Sequence, residues 1–165
     1  MMKGLALVMS LFAAALPLSA EQPVVRVEPS NLHGPRILNE QTKSGVIRDY
    51  LDAWQSMSAA FQQNRPDLLD RDFVGTAKEK LTDTIHDQVT MGISTRYLDQ
   101  THDLQIAFYS PEGLSIQLVD NVEYDVEVLD QGKVQGTQKM RGRYVVVMTP
   151  AEVRWRIRVF QGGPD

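Results

Sequence analysis

Ile93-Ser94-Thr95-Arg96-Tyr97-Leu98-Asp99-Gln100-Thr101-His102-Asp103-Leu104-Gln105-Ile106-Ala107-Phe108-Tyr109 is the stretch in which the apolar rhythm of the chain changes. Upstream, Ala77, Leu81, Ile85, Val89, Ile93 and Tyr97 recur every fourth residue, which lines one side of a helix. Downstream, Leu104, Ile106 and Phe108 alternate with Gln105, Ala107 and Tyr109, the period of a strand with one buried face. Helices before the switch and strands after it predict an α+β domain.

Working back towards the N-terminus, Val46, Ile47, Tyr50, Leu51, Trp54, Met57 and Phe61 are spaced by threes and fours, which predicts a first helix ending near Gln63. Asn64-Arg65-Pro66-Asp67 reads as a stop and a new start, with Asn64 capping a short second helix over Asp67 to Asp70. Thr76-Ala77-Lys78-Glu79 has the order of a reciprocal capping box and predicts a third helix from Thr76 to Tyr97. Gly92 within it permits close packing or marks a bend.

Working forward, Ser110-Pro111-Glu112-Gly113 predicts a type I turn into a second strand through Leu114, Ile116 and Leu118. The parity holds through Val122, Tyr124, Val126 and Val128, a run long enough to predict a bend or bulge near Asp120-Asn121, or two strands in sequence. A turn at Gln131-Gly132-Lys133 leads to a strand from Thr137 to Met148, and Thr149-Pro150-Ala151 reverses the chain into Val153, Trp155, Ile157 and Val159. The expected architecture is a set of N-terminal helices packed on a curved antiparallel meander sheet.

Met1–Ala20 has the layout of a cleavable signal peptide: Lys3, an uncharged apolar run from Leu5 to Ala15, then Pro17 and the small pair Ser19-Ala20. That run is shorter than the roughly 20 residues needed to span a bilayer, so no stable membrane span is expected after cleavage. The expected organisation is a signal at 1–20, an extended proline-containing linker at 21–37, in which Val24, Val25 and Val27 could form a short edge strand, and one domain at 38–161. Export to the periplasm or outside the cell follows. The 17 Lys and Arg against 21 Asp and Glu make the chain mildly acidic, a poor match for nucleic acid. The absence of cysteine removes disulfides, thiolate metal sites and thiol nucleophiles.

Tyr50-Leu51-Asp52-Ala53-Trp54, Asn64-Arg65-Pro66-Asp67-Leu68-Leu69 and Val153-Arg154-Trp155-Arg156-Ile157 resemble the NTF2-like (SnoaL-like) superfamily. The resemblance implies a cone in which a bent sheet wraps around helices. The long first and third helices are similar to those of Tim44-like and VirB8-like domains. The superfamily holds enzymes, ligand binders and scaffolds, so the resemblance leaves function open.

Four sets of residues are candidates for function. His86 with Asp83 one turn away, and His102 with Asp103, are pairs in which an acid can orient an imidazole for proton transfer, as in lyases of the superfamily; for His86 a solvated surface histidine is the stronger reading, and for His102 capping and hydration at a strand start explain the pair equally well. Tyr50, Trp54, Tyr97, Tyr109, Tyr124 and Trp155 could line a pocket for a small apolar ligand, or form ordinary core. Arg141, Arg143, Arg154, Arg156 and Arg158 form an outward basic row opposite Glu123, Asp125 and Glu127, suited to cross-strand pairing or to an interface. His33, His86 and His102 share no ligand-like spacing, so neither metal nor cofactor is implied. The leading expectation is an exported, non-enzymatic module that binds a protein partner or dimerises, with a lyase or isomerase and an apolar-ligand carrier as alternatives.

Overall fold

The computed structural model describes residues 22–30, 32 and 36–164, so the expected signal peptide and His33 lie outside the described residues. In chain order it contains β1 (Val24–Val27), α1 (Glu40–Gln63), a 3-10 turn (Pro66–Leu69), α2 (Gly75–Met91), β2 (Ile93–Tyr109), β3 (Ile116–Asp130), β4 (Lys133–Pro150) and β5 (Trp155–Pro164). The five strands form one open sheet in the order β1-β2-β3-β4-β5. Strands β2 to β5 make the expected antiparallel meander. The sheet is mixed, however, because β1 runs parallel to β2 with Val24 opposite Thr101 and Val27 opposite Leu104. Three valines in four residues favour extended backbone enough to dock this part of the expected linker on the sheet edge.

α1 starts where Asn39 accepts a hydrogen bond from the Thr42 backbone N–H. Its apolar stripe buries Val46, Tyr50, Ala53, Trp54, Met57 and Phe61 against the sheet. Asn64 does not cap the turn that follows. It adopts a left-handed conformation (φ 52°) that closes α1, while its amide donates to the Ile93 carbonyl and accepts from Gln88. Thr76 likewise makes no capping box; its hydroxyl donates to the Arg158 carbonyl and ties α2 to β5.

The third helix ends sooner than its stripe suggests. Gly92 takes a left-handed conformation (φ 70°), closes α2, and passes the chain directly into β2. Ile93 and Tyr97 extend a spacing of four because every fourth residue is also every second residue taken twice, so the stripe is common to helix and strand. β2 then skips register between Leu98 and Thr101 and again between Ile106 and Phe108. The first bulge exchanges the faces of odd and even residues, so that Tyr97 and His102 both point towards α1. The second exchanges them back, which leaves Phe108 44% exposed and buries Tyr109, the reverse of the expected alternation.

β3 is one uninterrupted strand, and its register stays regular at Asp120-Asn121. A further skip between Val147 and Met148 sets Val159 opposite Val147 and Ile157 opposite Met148, with Arg158 as the extra residue. Phe160, and not Val159, therefore joins the inner face. Both helices cover that inner face. The concave space contains a packed set of rings: Trp54 lies with its centroid 5.1–6.4 Å from those of His102, Tyr124, Tyr144, Phe160 and Tyr97. Tyr144 stacks on Phe160 at 4.7 Å.

Candidate functional site

One polar cluster sits inside this aromatic core. α1 supplies Tyr50, one turn before Trp54; β2 supplies His102; β3 supplies Asp120. Because Leu104 pairs with Asp120 and Val122 with His102, the imidazole and the carboxylate are diagonal neighbours on the inner face. Asp120 Oδ2 lies 2.7 Å from His102 Nδ1 and accepts a hydrogen bond from the Tyr50 hydroxyl at 2.7 Å. His102 Nε2 lies 3.3 Å from Gln100 Oε1. Tyr50, His102 and Asp120 are each 0% exposed. Asp120 Oδ1 and Trp54 Nε1 have no hydrogen-bond partner.

A carboxylate that orients an imidazole is the arrangement of a general base. Here its outer nitrogen faces Gln100, and the Trp54 ring covers it edge-on at 5.1 Å, so the pair lies closed off from solvent. Desolvation holds the phenol of Tyr50 well above its usual range, with the Asp120 charge adding to the effect, so Tyr50 stays a donor. Burial also pushes Tyr97 up to about 12 and raises Tyr144, whose hydroxyl lies 3.1 Å from that of Tyr124.

The acid beside His102 is Asp120 and not Asp103. Successive strand residues face opposite sides, so Asp103 lies on the outer face, 3.5 Å from the Arg26 guanidinium. His86 and Asp83 are exposed on the solvent side of α2. Of the six aromatics expected to line a pocket, Tyr50, Trp54, Tyr97 and Tyr124 fill the cone with their own rings. Tyr109 and Trp155 form a separate edge-on pair at 6.5 Å, with Arg36 over the Tyr109 ring. Asp120 had a signal in the sequence, being the one charged residue in the buried row Ile116, Leu118, Val122, Tyr124. Gln100 had none, because only the bulge brings it to His102.

The arginines divide. Arg141 pairs with Glu123 across the outer face of β3 and β4, as cross-strand pairing predicts. Arg154 instead reaches the buried Asp72 at 2.7 Å, beside the Ser56 hydroxyl at 2.5 Å, and Arg156 donates to the backbone carbonyls of Asp70 and Phe73. These two hold the loop before α2 onto β5, where Phe73 bridges Ile157. Arg143 and Arg158 are exposed. Among the described residues no three His, Asp or Glu side chains converge as a metal-ligand set. Nor does any helix among them have the length and apolarity to cross a membrane.

No protein-family model matches the sequence, and no curated protein matches it. Solved structures do resemble it. The intermembrane space region of the chloroplast protein ARC6 is 15% identical, with 79% of this chain and 100% of that one covered and a TM-score of 0.60. Aln2 from a Streptomyces species is 13% identical over 79% of this chain and 95% of that one, with a TM-score of 0.53. A type 2 hexachlorocyclohexane dehydrochlorinase (LinA) is 10% identical over 76% and 86%, with a TM-score of 0.52. The chain has the NTF2-like α+β fold. One of these neighbours is named an enzyme and another a region of an organelle protein, so fold alone leaves the function undecided.

Two outcomes follow from the buried cluster. Asp120→Ala strands the Tyr50 hydroxyl and the His102 imidazole and should lower the unfolding free energy by about 3–5 kcal/mol. His86→Ala should change it by less than about 0.5 kcal/mol; equal urea midpoints for the two variants would contradict the assignment. At alkaline pH, an unfolded tyrosine ionises near about 10, whereas native Tyr97 keeps its proton to about 12. The unfolded chain then binds fewer protons than the native one, so stability, complete below the lower value, falls as pH rises between the two. Phenolate absorbance of the folded protein should show Tyr50, Tyr97 and Tyr144 still protonated where a free tyrosine has ionised, and a normal titration of all five tyrosines in the folded protein would refute their burial.

Proposed function

We propose that this chain is an exported, non-catalytic NTF2-like module that acts by self-association through the outer face of its sheet. The observation that carries the reading is an uncovered apolar strip in the middle of that face. Val119 stands opposite Val145, Val147 opposite Val159, and Phe108 beside them opposite Gln117. All five apolar side chains are partly or well exposed, on the side of the sheet that neither helix covers. Gln117 lies within the strip between Phe108 and Val147, Gln105 and Gln161 border it, and Arg143 and the Glu123–Arg141 pair close one end. An apolar centre with a polar and arginine-containing rim is the composition of a protein interface. A twofold axis through the strip would make it complementary to itself.

The sealed interior supports the non-catalytic part. His102 and Asp120 have the geometry of a general base but no exposure, and the aromatic side chains that a carrier of apolar ligands would need as a lining are spent on each other. A lyase or isomerase using His102 is the second reading, favoured by the 2.7 Å contact to Asp120, and it requires Gln100 or Trp54 to move. Export rests on the Met1–Ala20 pattern.

Light scattering of the purified domain should give twice the chain mass, and Val145→Glu, which sets like charges across the axis, should give a monomer with unchanged circular dichroism. A wild-type monomer at high micromolar concentration would sink the interface. For export, the protein recovered from its own cells should have a mass that begins at Glu21. A full-length chain confined to the cytoplasm would refute it.

A further inference from the structure

Three pieces of structure border a half-open cavity beside His102, of whose lining only Tyr97 belongs to an expected site. α1 presents Gln55, Ser58 and Gln62 on one stripe, three and four residues apart. The first bulge of β2 carries Asp99 in a left-handed conformation (φ 52°) and brings Gln100 under the same space. Gln22, just ahead of the point where β1 joins β2 at Thr101, overhangs it. The cavity between them measures about 430 Å³ and is completed by Tyr97. This lies within the range of small-molecule sites, about 300–1,000 Å³.

Its chemistry differs from that of the surrounding surface. Among the described residues that line it, none is charged. Neighbouring hollows contain Arg48 and Asp52, or Asp67, Asp70 and Arg71, or Arg26, Asp103, Glu123 and Arg141. Four carboxamides each offer two donors and an acceptor, Ser58 adds a hydroxyl, and Tyr97 adds a phenol that stays protonated to about 12. An ion entering here would lose water without gaining a counter-charge. A hydrocarbon would leave the amides unpaired. A compact neutral molecule bearing many hydroxyls avoids both costs.

We propose that this cavity binds a small uncharged carbohydrate, with Gln100 as its inner anchor. The 3.3 Å contact between His102 Nε2 and Gln100 Oε1 holds the Gln100 carboxamide in place at the inner wall of the cavity. The His102–Asp120–Tyr50 cluster then serves as the rigid support of a ligand-contacting amide.

The test is titration of the isotope-labelled chain from Glu21 onward, with β1 and Gln22 present, with D-glucose and maltose, followed through the glutamine side-chain amide signals, with glucuronate and glucosamine as charged controls. The amides of Gln55, Gln62 and Gln100 should shift saturably in the millimolar range with the neutral sugars only. Gln55→Leu, on the exposed side of α1, should weaken binding by roughly tenfold or more, and Gln100→Leu should do the same while moving the His102 ring signals. Absence of saturable shifts with both neutral sugars would overturn the proposal. So would equal shifts with the charged sugars, or binding that neither variant weakens.

Discussion

A carboxylate without water must be surrounded by donors, and α1 is held in the sheet by three such carboxylates. Asp120 on β3 accepts from Tyr50 of α1 and contacts His102 of β2. Asp49 of α1 accepts from the Trp155 backbone N–H on β5 and from the Arg48 guanidinium. Asp72 accepts from Ser56 of α1, from Arg71 and from Arg154 beside β5. Rotation of α1 about its axis, or sliding by one turn, would leave several of these groups unpaired at once. The helix therefore has one seat, and the rings that radiate from Trp54 are packed around it.

The bulges decide what this seat is surrounded by. A regular ladder in β2 could not turn both Tyr97 and His102 inward, because they are five residues apart and fall on opposite parities. The skip at Asp99-Gln100 resolves this and moves Gln100 to the imidazole. The skip at Ala107 sends Phe108 outward, and that at Arg158 sends Val159 outward and Phe160 inward. Two of the five apolar residues of the outer strip thus owe their exposure to local irregularities, and so does the inner wall of the cavity beside His102. Sites of interest on both faces of the sheet arise where the period of two is interrupted.

The α2–β2 junction shows the limit of periodicity as evidence. Ile93 and Tyr97 carry on the helical stripe faithfully, and only the left-handed glycine at 92 ends it. Asn64 and Thr76 have residue types suited to opening helices, yet one closes α1 and the other bonds to β5, since any short polar side chain near a helix end can take whichever backbone partner the fold brings to it. The arginines teach the same lesson. Arg141 pairs across the strand as its alternation predicts, whereas Arg154 and Arg156 turn to a loop more than eighty residues away in sequence.

What the sequence determined alone was the order of helices and strands, the apolar face of α1, the meander and its turns, and the NTF2-like resemblance, because each depends on local periodicity or on residues close in the chain. Asp120 was legible as a charge in an apolar row, though its partners were not. Only the tertiary structure decided that His102 belongs with Asp120, that the cone is filled with rings, that Gln100 guards the imidazole, and that valines rather than arginines occupy the centre of the outer face. Those outcomes turn on strand register, and one skipped residue exchanges inside for outside while leaving composition and spacing unchanged.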